Sequence, residues 1–133
     1  MSDWMLYHVF RIRGYTVDHC ERVEPQRIVV TITATPQTLR CPRCGAPKVT
    51  RKGVNLRLLR GTPIGSLQVH FATHVPRVHC RKCGLTRQVR LSFADEKRRH
   101  TRQFERYALE LAQLTTTAHA ARHLGVSWDT LRD

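Results

Sequence analysis

Cys41-Pro42-Arg43-Cys44-Gly45 and Cys80-Arg81-Lys82-Cys83-Gly84 are two copies of one pattern, CxxCG, with residues 46–79 between them. Two intervening residues let both thiolates of a tight turn point at one ion, and the glycine allows the backbone to close that turn. Two such knuckles supply four sulfur ligands and leave no position for water. The ion they call for is therefore a single structural zinc held by Cys41, Cys44, Cys80 and Cys83, not a catalytic one. Other readings exist for a CxxC pair: a disulfide, or a redox thiol whose pKa the flanking Arg43, Arg81 and Lys82 would lower. The duplication, with a glycine at the same place in each copy, favours the metal.

Working outward from the knuckles, the chain reads as short strands. Arg27 to Thr35 (RIVVTITAT) is rich in β-branched residues, sets Ile28, Val30 and Ile32 against Val29, Thr31 and Thr33, and ends at Pro36. Between the knuckles, Leu56 to Arg60 is one strand candidate and Leu67 to Val75 another, separated by the breakers in Gly61-Thr62-Pro63-Ile64-Gly65. Pro76 predicts a bend or an edge at the end of the second. Leu85 to Leu91 alternates once more. Residues 25–94 thus read as a small antiparallel sheet pinned at one end by metal, a zinc ribbon whose ion compensates for a core too small to hold alone. Residues 1–24 fit a short helix or an irregular arm, with Trp4, Leu6, Tyr7, Val9, Phe10 and Ile12 as its apolar side chains and Gly14 as its end. Cys20, between His19 and Glu21, has no second ligand pair and reads as an ordinary thiol.

The composition changes at Asp95. Residues 95–102 (DEKRRHTR) contain no apolar side chain and read as a basic linker. Thr101 is the expected N-cap of a helix over Gln103 to Leu114, on which Phe104, Tyr107, Ala108, Leu111 and Leu114 follow helical spacing. Thr115-Thr116-Thr117 breaks it and caps a second helix, Ala118 to Leu124, stopped by Gly125. Ser127 then caps a third that begins at Trp128. Residues 103–133 have the internal logic of a helix-turn-helix: Ala121 lets two helices cross closely, Gly125 takes the sharp turn, and Val126 and Leu131 anchor the next helix to Leu111 and Leu124. A plain helical hairpin is the alternative. The third helix would offer Ser127, Trp128, Thr130 and Arg132 to a major groove. The sequence stops at Asp133, less than two turns into it, which predicts a fragment of a longer protein whose recognition helix is cut short. The fold class expected is α+β.

The balance of charge points to the partner. Lys and Arg number 23 against 10 acidic residues, a formal net charge of +13, and an all-cysteine zinc site removes only two of those charges. Such an excess favours a polyanion, nucleic acid ahead of membrane. At 7% aromatic residues the chain offers little for a base-stacking platform, which argues against an RNA-binding ribbon. No apolar run approaches the length of a membrane span, and the first residues lack the basic and apolar regions of a secretory signal. Arg98, Arg99, Arg102 and Arg122 are the candidate phosphate contacts. Arg87, Arg90 and the Lys97-Arg98-Arg99 run also fit solvated surface. His70, His74 and His79 fit strand or surface histidines better than ligands of a catalytic metal.

Taken in order, a strand, CPxCG, a strand pair around Gly-Thr-Pro-Ile-Gly, CxxCG, Arg99-His100-Thr101 and then LGVSxDTL resemble the N-terminal region of bacterial insertion-sequence transposases of the ISL-three family, over about residues 25–133. That resemblance implies a zinc finger and a helix-turn-helix ahead of a DDE catalytic domain of RNase H type. The N-terminal part would bind the terminal inverted repeats of the mobile element as double-stranded DNA. The four cysteines become the zinc ligands and Thr117 to Asp133 the DNA-reading motif. Two features depart from the family: Val78-His79 stands where an aromatic residue is common, and ten scattered acidic residues cannot assemble a DDE triad within this length. DNA transposition chemistry is therefore expected outside these residues, and the chain is not expected to be an enzyme by itself. The alternative function is a ribbon that mediates protein contacts or a homodimer, with only the helices on DNA. The expected location is the bacterial cytoplasm, at the nucleoid when DNA is bound.

Overall fold

A computed structural model describes residues 1–36 and 39–127. Helix α1 (Asp3–His8) leads into strand β1 (Tyr15–Glu24), followed by β2 (Arg27–Ala34), β3 (Val49–Ile64), β4 (Leu67–Cys80), β5 (Thr86–Gln88), α2 (Arg102–Leu114) and α3 (Thr117–Leu124). The strands form one sheet in the order β1-β2-β4-β3, with β5 added to β4. The α+β class and the metal-pinned sheet agree with the sequence.

Every pairing is antiparallel except β2 against β4, which run parallel from Arg27↔Gln68 to Thr31↔Ala72. The composition of β3 and β4 explains why β4 inserts between its predecessors. Val69, Phe71, Thr73, Val75 and Val78 of β4 are all buried, as suits a central strand. Residues 51–58 of β3 are charged or exposed for most of their length, as suits an edge. Pro76 does not end β4. It falls between Ala72, the last partner of β2, and Arg77, the first partner of β5, where its carbonyl accepts from Val89 N–H at 2.9 Å and no N–H is needed from it.

Three boundaries differ from the sequence reading. The chain reverses at Gly65-Ser66, not over residues 61–64, which remain in β3 behind a bulge between Gly61 and Ile64. Both long strands run on to the knuckles, so that Val49 pairs with Cys80. The third candidate shortens to β5, because Val89 and Leu91 turn inward instead of continuing the ladder. Residues 1–24 hold the short helix, and also a ten-residue strand that their polar alternation did not announce. In β1 only Tyr15 is buried.

The main core lies on one face of the sheet. Leu6, Phe10 and Ile12 from the first segment, Val30 and Ile32 of β2, Leu59 of β3, Val69, Phe71 and Val75 of β4, and Leu91, Phe93 and Ala94 meet there. Phe71 is its centre, with the rings of Phe10 and Phe93 edge-on at 5.1 and 6.4 Å. A second, separate cluster of Phe104, Ala108, Ala120, Ala121 and Leu124 joins α2 to α3. Thr101 starts α2, its Oγ1 accepting the Phe104 N–H at 3.1 Å in a buried position. Thr101→Ala removes that acceptor and should cost about 1–2 kcal/mol, read as a lower urea midpoint at unchanged zinc content.

Candidate metal centre and nucleic-acid interface

The two knuckles repeat one hydrogen-bond pattern. Cys41 N–H donates to the Ala46 carbonyl at 3.0 Å and Gly45 N–H to the Cys41 carbonyl at 3.0 Å. In the second knuckle Cys80 N–H donates to Leu85 and Gly84 N–H to Cys80, both at 2.9 Å. Gly45 and Gly84 sit at φ +75° and +76°, in the left-handed region where a side chain is strained. The result brings four sulfurs together: Cys41 Sγ lies 3.6 Å from Cys83 Sγ, Cys44 Sγ lies 3.5 Å from Cys80 Sγ, and all four fall within 4.8 Å of one another. A zinc–sulfur bond of about 2.3 Å requires a tetrahedral edge of about 3.8 Å, so the set fits a closed four-thiolate zinc site. The Cys44 backbone N–H, 3.5 Å from Cys41 Sγ, is the leading cause that lowers the Cys41 thiol to about 6, and the Cys83 backbone acts likewise on Cys80. Both effects favour the thiolate form that binds metal, whereas Cys44, drawn down by the Ala46 backbone but raised by the Cys80 sulfur, is pushed up to about 11 and would lose its proton to the incoming ion.

At the end of the sheet away from the knuckles, Arg60 of β3 touches both the 95–102 segment and α3, while Gln103 of α2 accepts from Thr62 Oγ1 at 3.1 Å and donates to the Val9 carbonyl at 2.6 Å. The Arg60 backbone N–H donates to the Arg99 carbonyl and its carbonyl accepts from Thr101 N–H, both at 2.9 Å. Its buried guanidinium crosses to α3, where Nη2 donates to the Leu124 carbonyl and Nη1 to the Gly125 carbonyl at 3.4 Å. A cation at a helix C-terminus satisfies the open carbonyls and opposes the dipole. The group also lies 4.9 Å from the Phe104 ring, against whose other neighbour, His100, that ring stacks at 5.1 Å. Gly125, at φ +69°, ends α3 with Val126 N–H returning to the Ala121 carbonyl. Nothing in the sequence singled out Arg60; it stood as one more polar residue beside Leu59.

Residues 89–133 match the family model described as the helix-turn-helix domain of transposase family ISL3. Over this segment the chain is similar to an ISL3 helix-turn-helix. No curated protein and no solved structure matches the chain. The ISL3 match begins at Val89, so it takes in Leu91, Phe93 and Ala94 of the sheet's core as well as α2 and α3. A helix-turn-helix of this kind is a DNA-binding, non-catalytic part of a transposase, and the four-cysteine centre stands beside it in the same chain. Among the described residues no helix is long and apolar enough to cross a membrane.

The sequence-predicted contact residues divide into groups in the ISL3 segment. Arg122 is exposed in the last turn of α3, and Ser127 is exposed beyond it. Arg99 is exposed while its carbonyl holds Arg60. Arg98 reaches Glu105 at 4.0 Å, and its carbonyl accepts from Arg57 Nη2 at 2.5 Å. Arg102 is committed internally, to Asp95 Oδ1 and the Ser92 carbonyl at 2.7 Å each. Trp128, Thr130, Leu131 and Arg132, and with them the third helix, lie outside the described residues. The joining segment 95–102 is fixed to β3 through Arg57 and Arg60.

Beside Arg60, opposite it in the β3–β4 register, is His70. Burial first, then the charges of Arg27 and Arg60 and the neighbouring His100, lower its pKa from 6.5 to about 4. His100 shifts the same way, by burial and then by Arg60, Arg98 and Arg99. Both imidazoles are neutral when folded but titrate normally when unfolded. Their contribution to stability is therefore complete above pH 6.5 and is lost as pH falls below it, for His70 down to about 4. Discounted for the partial exposure of the ring, the His70 share of the loss between pH 7 and pH 4.5 should be about 1–2 kcal/mol in urea titrations, and His70→Gln should remove it.

Proposed function

We propose that the chain recognises the terminal inverted repeats of a mobile element as double-stranded DNA. The observation that carries this is the ISL3 match on a helix pair that packs around Phe104, Ala120 and Leu124 and is tied to the sheet through Arg60 and Gln103. In this reading residues 103–133 read the duplex. Base edges would meet Ser127, Trp128, Thr130 and Arg132 at the start of a third helix, and phosphates would meet Arg98, Arg99 and Arg122. Residues 25–94, with 1–24 built onto them, form the zinc-supported platform, and 95–102 joins the two. Strand-transfer chemistry belongs to a DDE domain outside these residues, and the setting is the cytoplasm at the nucleoid. Selection of duplexes from a random pool should enrich one sequence, with affinity that falls steeply with salt. Equal affinity for every duplex at moderate salt would exclude sequence recognition.

A second reading rests on the sheet face away from the main core. Val54, Leu56 and Leu58, alternate residues of edge strand β3, are exposed at 50%, 64% and 45%. Such a stripe fits a ribbon that dimerises. Sedimentation of the full chain decides it, since a strict monomer that still binds DNA excludes dimerisation as the requirement.

A further inference from the structure

The sheet carries a cationic groove that shares Arg98 and Arg99 with the phosphate contacts assigned above and adds Arg57, Arg87 and Lys97 to them. It is an open hollow of about 360 Å³ between Arg57 and Leu58 of β3, Arg87 and Gln88 of β5, and the turn Glu96–Arg99. A second hollow of about 340 Å³ continues it past Arg90, again over Arg57, Arg87 and Glu96. Five cations line the first hollow against one carboxylate, Glu96. Arg57 and Arg98 are partly engaged, as described above, and shape the wall. Arg87, Lys97 and Arg99 are exposed, and among the described residues no side-chain partner takes their charge. Lys97 holds φ +65°, a conformation uncommon for a residue with a side chain, and Arg98 N–H closes the turn onto Asp95 at 3.1 Å.

We propose that this groove binds the sugar-phosphate backbone of the same duplex that the helix-turn-helix reads, so that the metal-supported sheet is a second DNA contact rather than a support alone. The proposal rests on the DNA-binding reading above. Position argues for one shared duplex. Arg60 holds Arg99 at the end of the groove with its main chain and the end of α3 with its guanidinium, so groove and reading helices are one arginine side chain apart. Chemistry argues for phosphate: three unneutralised cations in an open trough, with no aromatic side chain in the wall, suit a backbone and not stacked bases.

The test uses the full, zinc-loaded chain and duplexes long enough to extend beyond the selected sequence. Arg87→Gln, Lys97→Gln and Arg99→Gln are combined and affinity is measured against salt. Each lost phosphate contact removes about 0.9 from the slope of log Kobs against log salt, so the slope should become shallower by about 2 to 3. The loss should be equal for selected and random duplexes, and Arg87→Lys with Lys97→Arg and Arg99→Lys should restore the wild-type slope. The single variants Arg87→Gln and Lys97→Gln, each shallower by about 1 and neither a contact assigned to the helix-turn-helix, cover the case in which the triple variant loses its fold. An unchanged slope overturns the proposal, as does a loss confined to the selected sequence or equal binding of a double-stranded RNA. If the wild type shows no sequence preference but the triple variant still flattens the slope, the groove stands and the sequence-recognition reading falls. If the wild type binds no duplex, both fall.

Discussion

Cys83→Ser should release the zinc and melt the knuckle end of the β3–β4 ribbon while the body of the sheet stays folded. A three-ligand site with an open position is a poor structural clamp, and loss of a structural metal ranks among the largest single-residue effects, here more than about 4 kcal/mol of local stability. The damage is local because of where the core lies. Of the knuckle residues only Cys41 and Cys80 are buried, and neither belongs to the cluster around Phe71. Residues 49–54 of β3 are mostly exposed, and their partners in β4 lead directly into the second knuckle. Hydrogen exchange, with zinc counted in the same sample, should lose protection over Val49–Val54 and Arg77–Gln88 and keep it around Phe71. Global loss of protection would show that the ion holds the whole sheet, as the sequence by itself suggests. Full zinc occupancy at wild-type stability would show that Cys83 is not a ligand.

Arg60→Ala should loosen the helix-turn-helix with the zinc centre intact. The substitution leaves the Leu124 and Gly125 carbonyls without their donor, removes the cation from the Phe104 face and opens a gap between β3 and α3. Hydrogen bonds made by a charged group are worth about 1.5–3 kcal/mol each, and with part of that recovered by water the cost should be about 2–4 kcal/mol. The main-chain bonds from residue 60 to Arg99 and Thr101 survive, so the expected phenotype is specific: α2 and α3 lose protection, selective DNA binding falls, and zinc content stays the same. Arg60→Lys should restore little, because one ammonium cannot span two carbonyls and lie flat on a ring. Selectivity and α3 protection like those of the wild type would mean that the two helices orient themselves.

Local signals carried much of this architecture. The paired CxxCG motifs gave the metal centre to the residue, β-branched alternation gave β2, and Thr101 and Gly125 gave the helix ends, since in each case the decisive chemistry lies within a few residues. What escaped was set by distant partners. In β1, His19-Cys20-Glu21-Arg22 has no apolar face, and the strand exists because β2 offers it an edge. The parallel pairing of β2 with β4 depends on which strand is apolar enough for the centre. Arg60, Arg57 and Arg87 look like solvated strand residues until the chain from residue 95 onward returns to β3. A buried arginine with no nearby acid in sequence has no local signature.

The register of the β3–β4 hairpin also orders events in time. Its two-residue reversal at Gly65-Ser66 closes a small loop, whereas the parallel β2–β4 contacts join residues some forty positions apart and carry a larger entropic cost. Zipping from the reversal outward ends with Val49 opposite Cys80, one short step from both knuckles. The ion then meets a nearly assembled cage instead of recruiting four scattered thiols. In stopped-flow refolding, the earliest sheet signal should proceed at the same rate with and without zinc, and only a later phase should depend on its concentration. A first phase that accelerates with zinc would place metal capture at the beginning of the pathway.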